Sequence, residues 1–141
     1  MYKDTVTVFN RKNGEDITWY ARVLHNVDFN ADVALIRQMY GESAPDRAKL
    51  HIMYRSDKVG NYTYLLPKEF QSQADVSDKI TFQTGEDFDF FWLGVWNGTT
   101  ISDGDYQRGF FDYMVKTYDN VFAVSSVAKY SVIPHFEVMG R

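Results

Sequence analysis

The stretch Thr5-Val6-Thr7-Val8-Phe9, the polar residues 10–16 after it, and then Ile17-Thr18-Trp19-Tyr20-Ala21-Arg22-Val23-Leu24 decide the fold class. Both flanks carry β-branched or aromatic residues with a period of two, and Asn13-Gly14 between them is a strong hairpin turn signal. The reading is an antiparallel β-hairpin. In its second strand Ile17, Trp19, Ala21 and Val23 share one face, which is expected to pack inward around Trp19. Thr18, Tyr20, Arg22 and Leu24 make the other, amphipathic face.

Outward from the hairpin, residues 48–54 alternate Ala48, Leu50, Ile52 and Tyr54 against Lys49, His51 and Met53, and read as a third strand after a loop at 41–46. Residues 62–66, closed by Pro67, and residues 79–83 read as two more. The run 88–96 is so rich in Phe and Trp that it reads as a strand buried on both faces. Residues 121–127 and 134–139 are the last strands, joined by 128–133. A clear helical period occurs at residues 106–118, where Tyr106, Phe110, Tyr113, Met114 and Tyr118 recur at three-to-four spacing and Ser102 precedes an acid by three residues. Residues 31–40 fit a short helix or a turn into a strand, and residues 68–73 have room for one helical turn. The expected fold is mainly β, a small antiparallel barrel or sandwich of about six to eight strands with one amphipathic helix at about 103–118. That helix is expected to lay Tyr106, Phe110, Tyr113 and Met114 on the sheet.

The chain has 141 residues, which fits a single domain over 1–141. Its 15 Lys and Arg against 19 Asp and Glu give a net charge of -4, which disfavours a free-standing binder of duplex nucleic acid because phosphate neutralisation needs a basic face. There is no cysteine, so no disulfide, thiolate metal site or thiol nucleophile is available. The start carries no secretory signal pattern and no apolar run reaches membrane-spanning length, so the protein is expected to stay inside the cell and off the membrane.

His25, His51 and His135 fall on separate expected strands or strand ends, and no pair has the spacing of two ligands on one helix face, so no metal is expected. His51 reads as a surface group on the polar face of its strand. A small enzyme built on these residues requires two of them to converge with an acid. Asp103 and Asp105 resemble the start of a calcium loop, but Arg108 stands where its glycine belongs and Gln107 and Met114 where oxygen ligands are needed. No serine lies in a nucleophile elbow and no glycine-rich phosphate loop occurs, so catalytic residues and a cofactor are not expected.

Aromatic residues are the unusual feature: 11 Phe, 10 Tyr and 3 Trp make up 17% of the chain, more than a domain of this length usually buries. Tyr40, Tyr54, Tyr62, Tyr64 and Trp96 are therefore the candidate interface residues, some of them expected to face solvent in the monomer. An alternative places Tyr62, Tyr64, Trp92 and Trp96 on one surface as a stacking platform for glycan or single-stranded nucleic acid.

The segments Tyr2-Lys3-Asp4-Thr5-Val6-Thr7-Val8-Phe9-Asn10, Thr18-Trp19-Tyr20-Ala21-Arg22-Val23-Leu24 and Lys129-Tyr130-Ser131-Val132-Ile133-Pro134-His135-Phe136-Glu137-Val138 resemble small virion structural proteins of tailed phages and of Firmicutes prophages. The layout resembles that of head-tail joining proteins, which open with a hairpin carrying Thr-Trp and build a small β-barrel. The resemblance implies a non-enzymatic head-tail connector, neck component or minor capsid protein. Its implied partners are other virion proteins (portal, adaptor or tail component) and copies of itself. The implied location is the bacterial cytoplasm during assembly and the virion afterwards. The longer centre and the helix at 106–118 depart from the joining-protein pattern.

Overall fold

A computed structural model of the chain describes residues 2–41, 43 and 45–141, so the loop expected at 41–46 lies partly outside the described residues. The hairpin forms as its turn signal dictates: β1 (Asp4–Lys12) pairs antiparallel with β2 (Thr18–Asn30), from Val6 opposite Leu24 to Lys12 opposite Thr18. β2 does not stop at Leu24. At His25 and Asn26 the register shifts and Asn26 takes φ 58°, a bulge that bends the strand so that Asp28 to Asn30 pair with β3 (Ala48–Met53).

The small sheet comprises β4 (Lys58–Val59), β5 (Tyr62–Tyr64) and β6 (Lys79–Ile80). The main sheet adds β7 (Phe90–Trp92), β8 (Thr100–Ser102), β9 (Val121–Tyr130) and β10 (His135–Gly140), in the order β1-β7-β9-β10-β3-β2-β8. Because β1 also pairs with β2, six of these strands close into an antiparallel barrel, and β8 lies outside as an extra strand on β2. The expected mainly β fold with a barrel is the one found.

The nine-residue strand expected at 88–96 shrinks to β7. Gly94 packs so closely on the Trp92 indole that a Cβ there would lie 2.5 Å from the ring. Thr7 clips the resulting turn, donating from Oγ1 to the Gly94 carbonyl at 2.8 Å and accepting from the Trp96 N–H at 3.1 Å. The expectation of burial on both faces holds at its centre, where Phe90 and Phe91 are both fully buried on opposite sides.

Helix content is richer than expected, with α1 (Val33–Tyr40), α2 (Pro67–Ser72) and α3 (Phe110–Thr117). The helix expected over about 103–118 is a 3-10 turn at Asp103–Asp105 followed by α3, because Gly109 at φ +90° breaks the run between them. Asp103, not Ser102, completes the start of α3: its Oδ1 accepts from the Phe110 N–H at 2.9 Å and from the Trp19 indole N–H at 2.8 Å. Phe110 and Met114 are fully buried as the period requires, but Tyr113 is 37% exposed, and Phe111 takes its place by packing edge-on against Phe88 and Phe90.

Two apolar clusters result, one inside the barrel and one on its outside. Cross-strand partners share a face, so Val6, Val8, Leu24, Leu50, Phe91 and Phe136 fill the lumen. Phe9, Trp19, Ala21 and Phe90 point outward and are covered by Phe110 and Met114 of α3. This double burial corrects the expectation for β2: the Trp19 face, expected to pack inward, points outside the barrel beneath α3, with Val23 half-buried there, while Leu24 and Arg22 of the amphipathic face are inside the barrel. Arg22 is 2% exposed, lies between the rings of Tyr20 and Tyr62 at 5.2 and 4.8 Å, and donates to the main-chain carbonyls of Val76 and Lys79. Burial holds this guanidinium below its ordinary pKa, against the pull of Tyr62, Tyr20 and Asp78.

At the end of β10, an added Cβ on Gly140 would lie 2.7 Å from both Phe122 Cβ and Phe91 Cζ. Gly140→Ala is expected to cost about 1–3 kcal/mol by overpacking, read from urea unfolding. A change under about 0.5 kcal/mol, the scale of a surface substitution, would show that the two rings yield freely.

Candidate functional site

Three features of the surface stand out, and β10 borders all of them. On the outer face of the barrel the register places Asp28 of β2, His51 of β3 and Glu137 of β10 in one row, since His51 is the cross-strand partner of both. His135 lies two residues before Glu137 and therefore on the same face. The Glu137 carboxylate is the hub. Its Oε1 lies 3.2 Å from Lys49 Nζ, 3.4 Å from the Tyr40 hydroxyl and 3.8 Å from His51 Nε2, and its Oε2 lies 3.2 Å from His135 Nε2.

Burial pushes the Glu137 carboxyl up, but hydrogen bonds from His135 and Lys49 and the Lys49 charge outweigh it and leave the group below the usual carboxylate range. Burial and the Lys49 charge together push His51 below the ordinary imidazole value, and its Nε2 is buried without a hydrogen-bond partner. Two of the three histidines thus converge with an acid, the arrangement that a histidine-based site requires. The reading of His51 as a plain surface group is corrected: it is half-buried, with its ring centroid 5.4 Å from that of His135. His25 stays apart, bonded through Nδ1 to Thr5 Oγ1 at 3.2 Å. Lys49 occupies the Oε1 side of the carboxylate, and among the described residues no group of three or more His, Asp or Glu side chains is arranged to hold a metal ion.

The second feature is a groove of about 830 Å³ between β9 and the chain from β5 into α2. Its aromatic lining is Tyr64, Phe82 and Phe136, with ring centroids 4.7 to 5.9 Å apart. Lys129 on its β9 side holds its ammonium over Tyr54, Tyr64 and Phe136 at 5.1, 5.6 and 5.9 Å. Burial raises the Tyr64 phenol above its ordinary pKa. The Tyr54 hydroxyl donates to the Tyr130 carbonyl at 2.8 Å and fixes the end of β9.

The third feature is the β9–β10 turn, residues 131–134, where Val132 is 96% and Ile133 66% exposed, flanked by Tyr130 and Met53, which are about half exposed. Sequence reasoning passed over this tip as a simple connection. Its signal was two β-branched residues, Val132-Ile133, placed in a turn ahead of Pro134, where polar turn residues are the norm.

Of the five candidate interface residues, Tyr40 is exposed at 46%, whereas Tyr54, Tyr62, Tyr64 and Trp96 are half-buried against their own chain. The four rings of the stacking platform separate into two places. Tyr62 and Tyr64 pack on the barrel interior, and Trp92 and Trp96 on the outer cluster beneath α3. Among the described residues no helix is long and apolar enough to cross a membrane. Compared with known proteins, the chain matches no protein-family model, no curated protein and no solved structure.

Proposed function

We propose that the chain is a non-enzymatic structural component of a phage or prophage virion, of the head-tail connector or neck type, working through contacts with other virion proteins and with copies of itself. The observation that carries this reading is the β9–β10 tip. Two β-branched residues exposed at 96% and 66% on a rigid two-stranded support bring no benefit to an isolated domain, and they suit insertion into a neighbouring subunit. The Glu137 hub fits the same reading as a neutralised charge network, since Lys49 and His135 bracket both carboxylate oxygens.

The experiment is mass spectrometry and electron microscopy of particles from the strain that carries the gene. The wild-type chain is expected in the purified particles. A double variant, Val132→Asp with Ile133→Asp, is expected to keep its unfolding midpoint but to be missing from the particles, which then accumulate as unjoined heads and tails. Joined, normal particles that lack the wild-type chain would overturn the reading. So would enzymatic turnover by the purified protein that His51→Ala abolishes.

A further inference from the structure

We infer that the groove beside β9 receives an extended segment of another protein, which adds to the barrel as a strand along the free edge of β9. β9 pairs with β7 only through Val121, Phe122 and Ala123, and the Val124 N–H still reaches the Asp89 carbonyl at 2.8 Å. From Ser125 to Lys129 its described main-chain partners all lie on β10, and the Tyr130 carbonyl beyond is taken by the Tyr54 hydroxyl. In an antiparallel ladder alternate residues turn their N–H and C=O away from the paired strand, so this half of β9 presents an open row of donors and acceptors to the groove. Ser125, Ser126, Val127 and Lys129 line the groove along that row.

The chemistry of the row selects its occupant. Only another extended backbone matches alternating main-chain donors and acceptors at strand spacing, while the groove supplies pockets for every second side chain. Val127 and Lys129 face the same way as Val138 and Phe136, their partners on β10, so alternate residues of an added strand would meet the aromatic lining. Lys129 has no carboxylate within salt-bridge distance among the described residues, while Asp57 and Glu69 also line the groove, so the added strand carries a single acid, placed beside Lys129. The occupant is not a second copy of the chain, because the matching open edge of such a copy, residues 125–130, carries no acidic residue to set beside Lys129. The inference is independent of the virion reading.

The probe is the peptide acetyl-Thr-Val-Thr-Glu-Thr-Val-Thr-Val-amide, titrated into the 15N-labelled full chain. The expected result is that amides within residues 125–130 shift and gain protection from solvent exchange. The same peptide with two of its Thr residues replaced by Pro is expected not to bind, because its side-chain pattern survives but its strand donors do not. Lys129→Glu, an exposed position, is expected to weaken the Glu peptide by about fivefold and to favour a Lys-bearing analogue by a similar factor, the scale of one exposed ion pair. No protection within 125–130 from either charged peptide would overturn the inference. So would equal binding of the Pro peptide, or protection of the same amides by self-association in the absence of peptide.

Discussion

Asp89→Ala is expected to lower the unfolding free energy by about 4 kcal/mol, since it removes the acceptor of four N–H bonds, three of them buried, at roughly 1–3 kcal/mol each. The side chain is fully buried. Its Oδ1 accepts from the Arg11 N–H at 2.7 Å and from Gln83 Nε2 at 2.8 Å, and its Oδ2 from Asn10 Nδ2 at 2.9 Å and from the Gln83 N–H at 2.8 Å. These bonds tie β1 to the segment after β6, so their loss opens the junction between the barrel and the small sheet. Against a total of about 5–15 kcal/mol for a domain, such a loss leaves the variant near its unfolding threshold. Urea unfolding checks this, and a cost near that of a surface substitution would mean that water replaces the carboxylate.

Burial pushes the Asp89 carboxyl up to about 7, against the downward pull of the bonds from Arg11, Gln83 and Asn10. A carboxyl whose folded pKa exceeds its unfolded one contributes stability that is fully present below the unfolded value and is lost as pH rises through about 7. His51 and Glu137 are shifted downward and act in the opposite sense, their contributions being lost as pH falls. Bulk stability therefore mixes the two signs. The 13C shift of the Asp89 carboxyl carbon separates them, with an inflection expected near 7.

Phe110→Ala is expected to cost about 3–5 kcal/mol, the range for emptying a buried aromatic site. The ring is fully buried, with centroids 5.1 to 5.8 Å from those of Tyr106, Phe9, Trp96 and Phe90. An eight-residue helix such as α3 has no stability of its own in water, so without this ring its docking on the outside of the barrel should fail. Urea unfolding gives the cost, and loss of amide protection confined to residues 110–117 gives the location. A change of a few tenths of a kcal/mol would mean that α3 is peripheral.

What was legible in the sequence was local. Asn13-Gly14 with its alternating flanks announced the β1–β2 hairpin, and the spacing of Phe110 and Met114 announced a helix face. Period two also located β3, β9 and β10 to within a few residues. The failures arose where a distant contact overrides a local pattern. Arg22 reads as one member of an amphipathic face in an alternating strand, yet two main-chain carbonyls and two aromatic faces receive it inside the protein. His25 and Asn26 read as the end of a strand, whereas a bulge carries β2 through them. His51, His135 and Glu137 meet because β3 and β10 pair in one particular register, and periodicity fixes the face of a residue but not the strand beside it. The open edge of β9 was hidden for the same reason, since an edge is defined by the neighbour that is missing.

The position of β10 has a consequence for the order of events during synthesis. It is the latest strand in the chain, yet it sits between β9 and β3 rather than at the rim of the sheet. While residues up to 134 are emerging from the ribosome, β3 and β9 both lack the strand that joins them, and the barrel wall stays open. Closure therefore waits until residue 140 has been made, and it then depends on contacts that span most of the chain, which places the domain among slow-folding topologies. In that interval Leu50, Ile52 and Val124, buried in the finished lumen, are exposed to the cell, so the nascent chain is an expected client of holding chaperones.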